Sequence, residues 1–276
     1  MKFTKPTYFI DLDGTLFDTR GIYRVSLRNQ SAILIMKNFA NVVLSTGRSY
    51  SDYRVKQTIK LLRIDDIICS SGAEIYINHK LASFIPIEAK SVQNIVNFAN
   101  SRKLTFVVYD NDGEHAYLRS NFSVKLAKMT VSKWMKTIQH ANKFSLDNHK
   151  GITKISFLFK TNFFSRKTAQ KLLDTYPNTL SATTASNNYV IEITDIKTNK
   201  AKAAQEYASL KGIDLSNSVH IGDSNSDACL KGYVGKLVAM GNATKELKEI
   251  ADEIAPKNKN GGIYKYLVHS KTNIKK

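Results

Sequence analysis

Cysteine and negative charge are both scarce in this 276-residue chain. The thiols are Cys69 and Cys229, each inside an apolar segment. Such a pair supplies neither a disulfide framework nor a CxxC-type metal site, so a reducing, cytoplasmic setting is expected. No apolar run reaches the ~18 residues of a membrane span. The opening Met1–Pro6 is too short and polar for a secretory signal, so no membrane partner is expected. Asp and Glu number 23 against 41 Lys and Arg, a formal charge of +18. A basic balance of this kind invites a nucleic-acid reading. The lysines, however, are scattered rather than gathered in one arm. The densest stretches, Lys257 and Lys259 in one loop and Lys271, Lys275 and Lys276 in the tail, read as solvated ends. Attraction of anionic small molecules is the more modest expectation, and nucleic acid is not expected as a partner. Tryptophan occurs once, as Trp134 within Met129–Met135, where packing is the expected role.

Apolar residues make up 42% and charged residues 23%, which is ordinary globular usage. The length permits one large domain or two medium ones. In the N-terminal third, short apolar runs alternate with longer amphipathic ones. Thr7–Asp11, Asn41–Thr46 and Asp66–Ser70 read as buried strands, with helices from Ile22 to about Ala40 and over Ser51–Leu62. The rhythm resumes late in the chain. Helices are expected over Asn199–Lys211, Ser224–Lys231 and Thr244–Ala251, with strands at Ser218–Gly222 and Lys236–Met240. Continuous apolar strands joined by helices indicate an α/β fold, a parallel sheet covered on both faces. The middle differs. Strand-like Leu104–Tyr109, His115–Leu118 and Ile152–Phe159 mix with helices over Glu88–Lys103 and Phe163–Tyr176, followed by a hairpin from Thr179–Ala185 and Asn188–Thr194. The expected organisation is a core from residues 1–80 and 190–276 with an inserted α+β domain, 81–189.

Chemistry concentrates at strand ends. Asp11-Leu12-Asp13-Gly14-Thr15 closes the first strand, on the sheet edge where open α/β proteins bind ligands. Two carboxylates one residue apart are costly unless a cation or a shared proton relieves them, and hard oxygens suit Mg²⁺. The string alone fits equally a strand followed by an Asx turn. Ser45-Thr46-Gly47-Arg48 follows the second strand and offers a hydroxyl and amides to phosphate oxygens. Lys200 opens a helix, and Gly222-Asp223-Ser224-Asn225-Ser226-Asp227 follows another strand with two more carboxylates. Each has a plainer reading: Thr46 as a helix start, Lys200 as a solvated lysine, Asp223 as an N-cap. Four polar clusters at successive strand ends are harder to explain that way.

The order DxDGT, STGR, Lys, GDxxxD resembles the haloacid-dehalogenase superfamily, and within it the Cof-type hydrolases. Asp11 and Thr46 lie 35 residues apart, whereas Thr46 and Lys200 lie 154 apart, which is similar to the class whose cap is inserted between the second and third motifs. Ser70-Ser71-Gly72-Ala73 and Val238-Ala239-Met240-Gly241-Asn242-Ala243 also resemble family segments. The resemblance implies a Rossmann-like core with an α+β cap, and a Mg²⁺-dependent phosphatase of small phosphorylated metabolites. It implies Asp11 as nucleophile and Asp13 as general acid and base. It places Mg²⁺ among Asp11, the main-chain carbonyl of Asp13 and Asp223, supported by Asp227. Phosphoryl oxygens would meet the Leu12 and Gly47 amides and the Thr46 hydroxyl, with Lys200 offsetting the charge.

Two departures stand out. Ser226 occupies the position where the family's fourth motif carries Asn, and is expected to offer its hydroxyl to a phosphate oxygen or to Asp223. Lys197, Lys200 and Lys202 crowd together, and NKAKAA selects Lys200. Substrate choice is expected from the cap, with Tyr109, Asp110, His115, Arg119, Lys154, Asn187 and Asn188 as candidates. The six histidines show no metal spacing and receive no catalytic task. A phosphotransferase or mutase on the same fold is the alternative activity, and a basic nucleic-acid-binding module a more distant one. Oligomeric state is not legible.

Overall fold

The computed structural model of the chain describes residues 5–20, 24–118, 139–185 and 188–273, with side chains through residue 268. Arg119, the Met129–Met135 segment with Trp134, Asn187, Lys275, Lys276 and the Lys271 side chain lie outside the described residues.

In chain order, β1 (Thr7–Ile10), α1 (Leu27–Met36), β2 (Asn41–Ser45), α2 (Tyr53–Leu62), β3 (Asp66–Cys69), β4 (Glu74–Ile77) and β5 (Lys80–Phe84) come first. The middle carries α3 (Ala89–Ser101), β6 (Thr105–Asp110), β7 (Gly113–Tyr117), β8 (Gln139–Ala141), β9 (Lys154–Leu158), α4 (Ser165–Thr175), β10 (Leu180–Ala185) and β11 (Val190–Asp195). The last part adds α5 (Lys200–Lys211), β12 (Ser218–Gly222), α6 (Asn225–Ala228), β13 (Lys236–Ala239), α7 (Lys245–Ile250), β14 (Glu253–Ile254) and α8 (Gly262–Asn273). The chain divides into two compact units, Met1–Phe84 with Asn199–Lys276, and Ile85–Thr198.

The first unit holds an eight-stranded sheet in the order β14-β13-β12-β1-β2-β3-β4-β5, parallel from β14 to β3 and antiparallel thereafter. Successive strand residues point to opposite faces, and β1 uses both. Ile10 packs with Ile33 and Met36 of α1, Val55 and Ile59 of α2 and Ile263 of α8. Phe9 packs on the other face with Ala201, Ala204 and Tyr207 of α5 and Leu247 of α7. Helices therefore cover both faces, and TYFI reads as one apolar run because neither face is wet. The fold is the expected α/β class, a Rossmann-like core with an inserted α+β unit.

The second unit is a six-stranded sheet, β10-β11-β9-β6-β7-β8, antiparallel except between β7 and β8. One face buries Phe106, Val108, Phe157, Ile191 and Ile193 against Ile95 and Phe98 of α3 and Leu172 of α4.

Three differences from the sequence reading have local causes. A boundary at residue 80 would cut the β4–β5 hairpin, which turns at Asn78 and His79, both with positive φ. That hairpin went unread because β5 is an edge strand with a largely exposed face and no buried run. A boundary at 190 would assign β11 to the first sheet, yet β11 pairs with β10 and β9. Helix α1 begins at Leu27 rather than Ile22, since Ser26 caps it by accepting from the Asn29 amide. Asp18 in turn takes both the amide and the hydroxyl of Ser26. Among the described residues no helix is long and apolar enough to cross a membrane. Both cysteines are free thiols.

Candidate active site

Parallel register brings the polar strand ends to one edge. Ile10 pairs with Leu44 on one side and with Ile221 on the other, so the next residues, Asp11, Ser45 and Gly222, finish level. The Asp11 amide donates to Ile221 O at 3.0 Å and the Thr46 amide to Ile68 O at 2.9 Å, each extending the ladder by one step. The chain then leaves β1 through a tight turn over Leu12–Leu16 in which Gly14 has φ +75. A Cβ on Gly14 would lie 1.9 Å from Asp223 Oδ2, and one on Gly222 would lie 2.2 Å from the Asp227 carboxyl carbon. Glycine at both positions lets the backbone close on the carboxylates.

Lys200 ties the edge together. Asn199 caps α5 by accepting from the Lys202 amide at 2.8 Å, which sets Lys200 as the first helical residue. Its ammonium donates to Asp11 Oδ1 and to Asp227 Oδ1, both at 2.7 Å, with only 2% of the side chain exposed. Asp227 is held on every side. Its Oδ1 also receives His220 Nε2 at 2.8 Å, and its Oδ2 receives the Asp223 and Ser224 amides and the Ser224 hydroxyl. Oxygen atoms of Asp11, Asp223 and Asp227 lie within 4.8 Å of one another.

The electrostatics follow from this crowding. Burial works against charge on Lys200, but Asp11 and Asp227 outweigh it and move its pKa up, so it is a fixed ammonium. Burial also opposes charge on Asp227, yet Lys200 and His220 hold it well below the usual carboxylate range. Burial moves His220 down, leaving a neutral imidazole that donates from Nε2. Its Nδ1 is buried without a hydrogen-bond partner among the described residues. Asp223 is pushed up to about 7, by burial first and then by Asp227. Burial, Asp227 and Asp223 drive Asp11 upward against the pull of Lys200. Three carboxylates face one ammonium, so the cluster is short of positive charge.

That shortage, with oxygen-only donors, fits a hard dication such as Mg²⁺. Lys200 takes Oδ1 of Asp11, which leaves Oδ2 as its donor. Among the described residues the Asp223 carboxylate accepts only a long 3.4 Å contact from Asn242, whose Nδ2 also donates to Gly14 O at 2.8 Å. Asp227, already saturated, is suited to orienting its neighbours rather than to ligation.

The remaining expected residues are placed as follows. The Asp13 side chain is half-exposed and clamped by Arg48, from Nε at 2.5 Å and Nη2 at 2.6 Å. Arg48 is held in turn by Asp52, the N-cap of α2, at 2.7 Å. Thr46 is buried, and its hydroxyl accepts from the Arg48 amide at 3.2 Å. Gly47 lies between them in the turn that leads to α2, and Leu12 opens the Asp13 turn with its side chain fully buried. The Ser226 hydroxyl meets that of Ser224 at 2.9 Å. Sequence reasoning missed His220, Arg48 and Asn242 as partners of the cluster. A histidine inside an otherwise apolar strand, SVHIG, was the one available signal for His220.

Of the residues proposed from the second unit, Tyr109, Asp110, His115 and Lys154 lie in its sheet. Lys154 is buried, donates to Glu192 Oε1 at 2.8 Å, and lies 4.3 Å from the Tyr109 ring centroid. Asp110 and His115 meet at 3.1 Å. Asn188, in the turn before β11, has φ +67.

The sequence pattern of a family described as haloacid dehalogenase-like hydrolase matches residues 8–267. The chain is 26% identical over 275 residues to the 5-amino-6-(5-phospho-D-ribitylamino)uracil phosphatase YwtE of Bacillus subtilis, covering 92% of this chain and 94% of that protein. The structure of BT1666 from Bacteroides thetaiotaomicron, a phosphatase of the haloalkanoate superfamily, superposes with a TM-score of 0.79 at 21% identity, over 97% of this chain and 96% of that one. The subclass IIB sugar phosphatase BT4131 gives 0.80 at 18% identity, over 97% and 99% of the two chains.

Proposed function

Because the chain belongs to the haloacid dehalogenase-like hydrolase family, we propose that it hydrolyses small phosphorylated metabolites, sugar phosphates or related phosphomonoesters, using Mg²⁺ and an aspartyl-phosphate on Asp11. The observation that carries the reading is the pair of 2.7 Å bonds from one buried ammonium to Asp11 and Asp227, at the carboxyl edge of a parallel sheet. The Bacillus relative named for a ribityl phosphate supports a polyol or sugar phosphate as the substrate class.

Asp11 attacks phosphorus through its carboxylate, whose orientation is fixed by the bond from Lys200 to Oδ1. The ester oxygen departs with a proton from Asp13, and the same carboxylate then takes a proton from the water that cleaves the acyl phosphate. Proton transfer requires that Asp13 part from Arg48, which makes the Arg48–Asp52 pair part of the acid's positioning. The Leu12 and Gly47 amides and the Thr46 hydroxyl supply donors to the phosphoryl oxygens. Asp11 and Asp223, with the Asp13 carbonyl, would hold Mg²⁺, which would neutralise charge on the transferring group. General acid–base help provides about 10²–10⁴-fold, whereas phosphate monoester hydrolysis needs accelerations approaching ~10²¹-fold. Electrostatics and positioning must provide the larger part, and this site is built mostly of charge.

The test is phosphate release from p-nitrophenyl phosphate and a panel of sugar phosphates, with Mg²⁺ and after chelation. Activity that needs Mg²⁺, with a base-labile phosphoprotein trapped on acid quench, is expected. Full turnover by Asp11→Asn overturns the assignment of the nucleophile.

A further inference from the structure

A second set of convergent donors lies wholly within the second unit. Asp110, His115 and His149 place one ligand atom each within 4.8 Å of the others. The β6–β7 hairpin supplies two of them, since Asp110 ends β6 and His115 lies in β7. His149 arrives on a separate loop, which runs beside the end of β6 through bonds from Asn111 N to Lys150 O and from Thr153 N to Tyr109 O.

The arrangement is buried and directed. Side-chain exposure is 0% for Asp110, 12% for His115 and 1% for His149. His115 Nε2 meets Asp110 Oδ1 at 3.1 Å, and His149 Nδ1 meets Asp110 Oδ2 at 2.5 Å. The two rings stand edge to face, 4.7 Å apart at 87°. Holding the hairpin turn does not require them, because Asp110 Oδ1 already accepts the Asp112 and Gly113 amides at 2.9 and 3.0 Å. Two imidazoles thus aim at one carboxylate, each through a proton that a cation can replace.

A further partner lies behind His149. Its Nε2 is 2.5 Å from the Tyr117 hydroxyl, and the Phe144 ring stacks on the imidazole at 5.3 Å and 11°. A phenolic hydroxyl can donate or accept, so it can meet either tautomer of His149. An imidazole that ligates through one nitrogen nearly always gives its other N–H to such an acceptor, which fixes tautomer and orientation.

We propose that Asp110, His115 and His149 form a binding site for one borderline divalent cation of the Zn²⁺ class, with Tyr117 orienting His149. Two nitrogens and a carboxylate match the donor sets of Zn²⁺ sites with an open fourth position, and differ from the all-oxygen sets that Mg²⁺ prefers. Ligands about 2.0–2.1 Å from a tetrahedral ion stand roughly 3.3 Å apart. The two histidine–carboxylate separations therefore open by less than ~1 Å on binding. The ion displaces the protons on His115 Nε2 and His149 Nδ1. His149 then carries its proton on Nε2 and donates to Tyr117. Binding ties the hairpin to the loop and stabilises the folded chain by mass action.

The experiment uses the full chain carrying Asp11→Asn and Asp223→Asn, which removes two donors from the first cluster. Its melting temperature in chelator, beside that of the wild type, serves as its fold control. After chelator treatment and dialysis, Zn²⁺ is titrated against a chromophoric chelator and Co²⁺ is followed by its visible absorption. One equivalent of Zn²⁺ is expected, with the intense bands of low-coordinate Co²⁺ bearing nitrogen ligands. His115→Gln is expected to abolish those bands and to weaken Zn²⁺ at least tenfold, with its melting temperature in chelator serving as the fold control. Tyr117→Phe is expected to weaken Zn²⁺ by about 10–100-fold without abolishing it. Absence of stoichiometric Zn²⁺ in the double variant, or equal binding by His115→Gln, overturns the proposal.

Discussion

The two buried clusters, one in each unit, look alike as sets of donor atoms and differ in electrical state. Around Asp11, Asp223 and Asp227 there are three carboxylates and one ammonium, and Asp223 is pushed up to about 7. Around Asp110 there is one carboxylate, and its oxygens receive two amides and two imidazoles. The first is incomplete without a further cation. The second is complete with protons and can exchange them. Unmet charge, rather than proximity of acidic side chains, marks the cluster built for chemistry.

The comparison can be broken at several points. The largest effect is expected from Asp11→Asn, which should lower phosphate release on the order of 10⁴-fold or more, as removal of a nucleophile does elsewhere. Steady-state assays beside wild type check it. Lys200→Ala comes next, because it leaves Asp11 and Asp227 buried with their shared counter-ion gone. Breaking such a pair costs about 3–5 kcal/mol, readable by urea unfolding in chelator, and Mg²⁺ should recover part of the loss. Little change in either measurement would mean that the ammonium is not the partner that holds the cluster.

The third effect depends on pH. Asp223 has its folded pKa raised to about 7 from an ordinary 3.8, so between those values the folded chain binds a proton that the unfolded chain does not. Metal-free protein should therefore lose stability as pH rises through that window. Mg²⁺ needs the ionised carboxylate, so its stabilising effect should grow in the same direction. Melting curves near about pH 5 and about pH 8, with Mg²⁺ and with chelator, show whether the two trends cross. The smallest effect is expected in the second cluster. Metal-free His115→Gln removes one of three donors to Asp110 Oδ1, at a cost of about 1 kcal/mol. A loss several times larger would show that this cluster, too, depends on charge balance.

Much of the first cluster was legible because its residues follow buried strands. Runs such as TYFID, NVVLST and SVHIGD announce a parallel sheet, and register then forces Asp11, Thr46 and Asp223 toward one edge. Lys200 was selected from three lysines by motif alone, and the Asn199 cap supplies the physical reason. What the sequence hid depends on pairing across distance. The grip of Arg48 on Asp13 spans 35 residues, and the bond from Asn242 to Gly14 spans 228. His149 lies 39 residues from Asp110, so no spacing rule could join them, and only the packing of its loop beside β6 does. The β4–β5 hairpin escaped notice because an exposed edge strand carries no apolar run.

The missing side chains at Gly14 and Gly222 bear on how this protein can change over generations. With Asp223 and Asp227 pressed into the space a methyl group would need, almost any replacement at either codon displaces a carboxylate before it improves anything. Drift at those two positions is closed. A descendant with altered catalysis must begin from less enclosed neighbours, such as the half-buried Ser226 or the exposed Asn242.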